Sequence, residues 1–297
     1  MTDLLRARLA GREWTVTVEV VTPSPHDAGS RDRILGLADA VRDDDRVAAL
    51  TLTDRTGSLD ADPVAFVPSV RDVLSASPLV HLAGKARDAR GFEDALARCA
   101  ASGIGSVLLT GGDPVANLSA GLSLDALEML RLARAGAPEI VPLAVLALPR
   151  TLRGTVSWER ARAKRDAGAA AFVAQVSWDL AEREIVAEWQ TRLTAPVIGA
   201  VMPLTRGRLA FLAAHRITGI EVPPALREQV GAQDPERAFR RLALDLLLLR
   251  RLGYAGAHVS GVLTPSLLRR VLDEAARLDA TLGDDWRDVW REATGIA

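Results

Sequence analysis

Several side chains that can do chemistry sit where a buried strand would ordinarily carry only apolar groups. In WTVTVEVVTPSP, residues 14–25, the carboxylate of Glu19 interrupts a β-branched run. A carboxyl group in such a place must be paired, for example with an arginine inside the fold, or protonated. Held neutral near physiological pH, it is a general acid. Asp113 follows two glycines in LLTGGDP, a sequence that either caps a turn or lets backbone approach a ligand beside a fixed negative charge. Gln175 is the one amide in AAFVAQVSW, free to bond a ligand or the protein wall, and His81 interrupts PLVHLAG as a ligand-facing or a structural imidazole. Only two of the 37 basic residues are lysines, Lys85 and Lys164. An amine at Lys85, if desolvated, could form a Schiff base.

The elements that must position these groups alternate along the chain. Apolar runs at 16–21, 47–54, 78–86, 106–113, 140–149, 170–179, 196–203 and 255–262 are each followed by a stretch of helical period. Strands apolar on both faces suit a parallel sheet covered by helices, and eight such units in 297 residues predict a single α/β domain over 1–297, a closed (β/α)8 barrel. An open doubly wound sheet is the alternative, weakened by the lack of GxGxxG after the first run. The stretch 217–253 is longer than one connection needs and predicts extra helices between strands seven and eight. Barrel active sites lie at the carboxyl ends of the strands. That places Glu19, Thr53, Asp54, His81, Lys85, Asp113, Gln175, His258 and Ser260 around one rim, with Lys164 in the helix before strand six. His26, His215 and His258 have no assigned duty. Trp286 and Trp290, at helical spacing, read as core.

Composition narrows the classes. A formal charge of −1 argues against nucleic acid and anionic membrane partners. The start, MTDLLRARLAG, lacks the apolar core of a signal peptide, so a cytoplasmic location is expected. Cys99 lies in a helical pattern without CxxC or histidine company and reads as core. There is no Walker, zinc-spacing, GxSxG or HExxH motif, so neither metal catalysis nor a serine triad is expected.

Taken in order, VEVVTP, the HL at 81–82, LLTGGDP, KRDAGAAAFVAQVSWD and VIGAVMPLT resemble the methylenetetrahydrofolate reductase family. The resemblance implies a (β/α)8 oxidoreductase of one-carbon metabolism that reduces 5,10-methylenetetrahydrofolate to 5-methyltetrahydrofolate with NAD(P)H, usually through FAD. It implies that Glu19 is the acid that protonates N10, its pKa raised by the flanking valines, and that Asp113 stabilises the 5-iminium cation. Gln175 would bond the pterin; Thr53, His81, Gly112 and Lys164 would line the flavin, with Lys164 toward its diphosphate. Family members often associate, which makes a homo-oligomer an expectation without a marked contact surface.

The departures concern the cofactor. Gly111 stands where the family has arginine, Leu148 and Leu152 replace the Tyr and His after strand five, Ser260 replaces an aromatic, and Gly207 replaces a stacking one. These changes predict weak FAD binding or none, with direct hydride transfer from NADH as the consequence. Two other readings compete: a folate-binding or accessory protein without turnover, and a Schiff-base aldolase or lyase using Lys85.

Overall fold

A computed structural model of the protein describes residues 3–54, 60–74, 76–85, 87–111, 123–149, 155–215, 219–232, 235–262 and 264–296. Its eight strands are β1 (Thr15–Val20), β2 (Val47–Leu52), β3 (Leu79–Ala83), β4 (Ser106–Thr110), β5 (Val141–Leu146), β6 (Ala171–Ala174), β7 (Val197–Val201) and β8 (Gly256–Val259). All neighbours are parallel, and β8 pairs with β1 to close the barrel. The expected (β/α)8 architecture is the observed one.

Helices α2 (Ala28–Val41), α3 (Pro63–Arg71), α4 (Ala89–Ala101), α5 (Ala126–Gly136), α6 (Thr155–Ala167), α7 (Leu180–Leu193), α8 (Arg206–His215) and α11 (Pro265–Thr281) follow the eight strands in turn. Aspartates start many of them. Asp27, Asp62, Asp88, Asp125 and Asp179 each accept a backbone N–H of the first turn, which satisfies donors that have no intrahelical partner. Asp125 adds a reciprocal capping box with Glu128.

Period-two alternation gives the strands an outward face toward the helices and an inward face toward the barrel interior. Val16, Val18 and Val20 point outward and join Ile34 and Leu37 of α2 in the layer between barrel and helices. The barrel floor is filled by Leu79, Leu108, Leu143 and Ile198, covered from below by Leu5 and Leu9 of α1 (Leu4–Gly11). Burying those two leucines contributes about 1.5–3 kcal/mol each. Gly256 marks where β8 passes closest to β1: a Cβ there would lie 2.1 Å from the carbonyl oxygen of Thr15.

The extra helices expected between strands seven and eight are α9 (Pro224–Ala232) and α10 (Pro235–Arg251). The tryptophans at 286 and 290 lie buried on α12 (Trp286–Thr294), and Cys99 is fully buried on α4, its thiol pushed up to about 12 by burial. Helices α7, α10 and α12 meet at a buried charge pair. Arg183 donates to Asp245 at 2.6 Å, and the same carboxylate oxygen accepts the indole N–H of Trp290 at 2.9 Å. Asp245→Ala should cost about 3–5 kcal/mol in urea unfolding, because it strands the Arg183 charge. The double replacement Arg183→Met with Asp245→Leu should recover part of that loss, the buried indole N–H of Trp290 still lacking its acceptor.

Candidate active site

Inside the barrel the same alternation points Thr15, Thr17 and Glu19 inward from β1. In the strand register Thr17 lies beside His258 of β8, and Glu19 lies beside Thr51 of β2. Closure therefore brings the first and last strands together at three polar side chains. Thr17 Oγ1 and His258 Nδ1 are 2.8 Å apart, and His258 Nε2 is 3.1 Å from Glu19 Oε2. Thr17 and His258 are buried, whereas Glu19 keeps 26% of its side-chain surface open at the rim.

The expectation of a raised Glu19 pKa is overturned. Burial does push the group upward, but the hydrogen bond from His258, with the positive charges of His258, His81 and Arg208, outweighs it and holds the carboxyl at about 2. The physical reason lies in the strand itself. The valines that flank Glu19 in sequence face the helices, so they form no apolar wall around it; its real neighbours are polar and come from other strands.

His81 of β3 also points inward, its ring 5.9 Å from that of His258 in a stacked arrangement. Burial lowers its pKa to about 4, so it is neutral at pH 7. Its Nε2 is buried without a hydrogen-bond partner among the described residues, as is Oγ1 of Thr51. The carboxylate of Glu19 and the two imidazoles converge with their polar atoms within 4.8 Å of one another. Both nitrogens of His258 are committed, one to Thr17 and one to Glu19. The cluster is a hydrogen-bonded chain with a neutral imidazole stacked beside it, its three ligand-type atoms close enough together to hold a metal ion.

The remaining candidates distribute unevenly. Thr53 lies just beyond β2 and is buried, its hydroxyl accepting the N–H of Thr22 at 3.3 Å. Asp54 pairs with Arg87 and accepts the N–H of Ala83 at 2.7 Å, which ties the end of β2 to the loop after β3. Gln175 follows β6, its Oε1 accepting the N–H of Val176 at 2.9 Å. Lys164 does not reach the rim as a free cation: its ammonium donates to the carbonyl of Val145 at 2.6 Å, and burial lowers its pKa to about 8. Lys85 forms an isolated antiparallel bridge with Ser123. Gly112, Asp113 and Leu152 lie outside the described residues.

Two participants were not assigned from sequence, His258 and Thr17; their signal is the shared inward parity of β8 and β1. A third is Arg208, at the start of α8. Gly261 accommodates it: at φ +73° this residue has a left-handed backbone, and a Cβ would lie 2.5 Å from Arg208 Nη2.

A closed barrel of eight parallel strands with a carboxylate and imidazole at their carboxyl ends defines a (β/α)8 protein with a polar rim. Residues 5–257 match the family model described as methylenetetrahydrofolate reductase, and the chain belongs to that family. Among solved structures it is similar to one described as an uncharacterized protein from Clostridium thermocellum that binds two copies of 5-methyl-5,6,7,8-tetrahydrofolic acid. The TM-score is 0.66 at 14% identity, over 93% of this chain and 99% of that one, a likeness of fold. No curated protein matches the chain. Among the described residues no helix is long and apolar enough to cross a membrane.

The displaced Glu19 carboxyl has a measurable consequence. Because its folded pKa lies below the ordinary 4.5, its contribution to stability is complete above that pH and is lost as pH falls toward about 2. Glu19→Gln should remove up to about 3 kcal/mol of acid-dependent destabilisation over that window, read from urea midpoints at successive pH values.

Proposed function

We propose that the protein reduces 5,10-methylenetetrahydrofolate to 5-methyltetrahydrofolate with NAD(P)H, with Glu19 supplying the proton to N10. The observation that carries this reading is the Glu19–His258 couple at the barrel rim, a carboxyl group in direct exchange distance of an imidazole and open toward the mouth. Ring opening breaks the bond from the methylene carbon to N10; N10 keeps the electron pair and takes the proton, and N5 becomes an iminium. Hydride from the nicotinamide then adds to the methylene carbon. Asp113 is proposed to stabilise the cation electrostatically, and Gln175 to bond the pterin.

FAD fits poorly among the described residues. The cation the family resemblance assigns to its diphosphate, Lys164, is committed to the Val145 carbonyl; Gly111 offers no side chain; Leu148 is buried, with its carbonyl bonded to Ser157. These features support direct transfer from NAD(P)H.

A second reading, a folate-binding protein without turnover, draws on the Clostridium thermocellum structure described as binding methyltetrahydrofolate. One experiment separates the two. Anaerobic oxidation of NADH or NADPH by flavin-stripped protein should require methylenetetrahydrofolate and proceed without added FAD. Turnover only with FAD would replace the direct route; folate binding without turnover would favour the second reading. Glu19→Gln should retain folate binding and lower the rate by about 10²–10⁴-fold, and Asp113→Asn should lower it more modestly.

A further inference from the structure

We propose that Glu19, His81 and His258 form a binding site for one divalent transition-metal ion of the zinc class at the barrel mouth. The site stands on the geometry of the rim alone; its effect on turnover rests on the reductase reading.

Strands β1, β3 and β8 supply the ligands, a carboxylate oxygen and two imidazole nitrogens, and these atoms lie within 4.8 Å of one another. Glu19 Oε2 and His258 Nε2 are 3.1 Å apart. Bonds of about 2.0–2.1 Å to one tetrahedral ion set two ligand atoms roughly 3.4 Å apart, so this pair already stands at ligand spacing. His81 adds an independent sign. Its Nε2 is buried and has no hydrogen-bond partner among the described residues, a costly state for a polar atom unless a ligand fills it. Thr17 supplies the orienting partner that metal-bound histidines ordinarily have. Its Oγ1 lies 2.8 Å from His258 Nδ1 and keeps Nε2 turned to the carboxylate; with metal on Nε2, Nδ1–H donates to that hydroxyl. Glu19, its side chain 26% exposed, provides the entry path and leaves the outer coordination position to water.

The donor set selects the ion. Two imidazoles with one carboxylate suit zinc and its first-row neighbours, whereas magnesium and calcium want oxygen ligands throughout. Arg208 from α8, whose charge is felt at Glu19, opposes the cation and lowers its affinity. A seated ion replaces the Glu19–His258 hydrogen bond by one bond to each residue. The carboxylate oxygen that would carry a proton to N10 is then taken by the metal, so metal binding and proton delivery exclude one another.

Equilibrium dialysis of the chelator-treated full chain against zinc tests the site without any turnover. Wild type should retain one zinc per chain. His81→Gln and His258→Gln should each weaken binding by more than about 100-fold, and Thr17→Val, which keeps all three ligands, by about 10–100-fold. Cobalt(II) added to wild type guards against variants that fail to fold: its visible spectrum should show the intense bands of a four- or five-coordinate ion in place of the weak ones of the hydrated ion. No zinc retained by wild type, or zinc held equally well after His81→Gln, would overturn the site. Where the protein reduces methylenetetrahydrofolate, zinc should inhibit in proportion to occupancy and a chelator should restore the rate. Full turnover at full occupancy would overturn the placement of the metal on Glu19. Zinc bound as expected with no turnover by metal-free wild type would remove the reductase reading and uphold the site.

Discussion

The hydrogen bond between His258 and Glu19 exists only because the barrel closes. The two residues are 239 apart in sequence, and what brings them together is the pairing of β8 with β1. Closure also fixes which side chains can meet. In a parallel ladder adjacent inward positions stand side by side, so Thr17 and His258 lie in one level and Glu19 in the level above. A one-residue slip of β8 would turn His258 into the helical layer and leave Glu19 as a lone buried carboxyl. The apolar floor serves the same arrangement. Leu5, Leu9, Leu108 and Leu143 exclude water from below, so the polar chain opens only at the carboxyl end, where a ligand can reach it.

Much of this was legible from the sequence, and the limits were local. Each of the eight strands announces itself by a run apolar on both faces, and the helices by amphipathic spacing and aspartate caps. What the chain conceals is company. Glu19 looks apolar-walled in VTVEVV because sequence neighbours are read as spatial neighbours, whereas alternation sends those valines to Ile34 and Leu37. His258 in GAHVSGV has no local signature at all; its meaning comes from its inward parity and from a strand at the other end of the chain. Helix α1 was missed for a related reason: LLRARLAG is a short segment with weak amphipathicity, and the barrel floor it covers is a tertiary surface. Asp113 carried more of the sequence argument than any residue except Glu19, and its place lies outside the described residues.

The departures from the family pattern are spread around the mouth: Gly111 and Leu148 follow β4 and β5, and Gly207 and Ser260 follow β7 and β8. Glu19, His258 and His81 belong to β1, β8 and β3, and there the polar groups are present and engaged. On the far side from them, Lys164 is drawn onto the β5 carbonyl of Val145. Moving that ammonium to a phosphate would break a 2.6 Å hydrogen bond in a partly buried setting and leave the carbonyl unsatisfied, a cost of about 1–3 kcal/mol before any phosphate is bound. The ammonium is thus held by the barrel wall, on the opposite side from the Glu19–His258 bond.

The two histidines show how a small rim can keep its charges ordered. Both are inward-facing and nearly stacked, yet their partners differ: His258 has a carboxylate and a hydroxyl, and His81 Nε2 has neither. Desolvation then dominates at His81 and strips it of its proton, since imidazolium without a partner is costly in that interior.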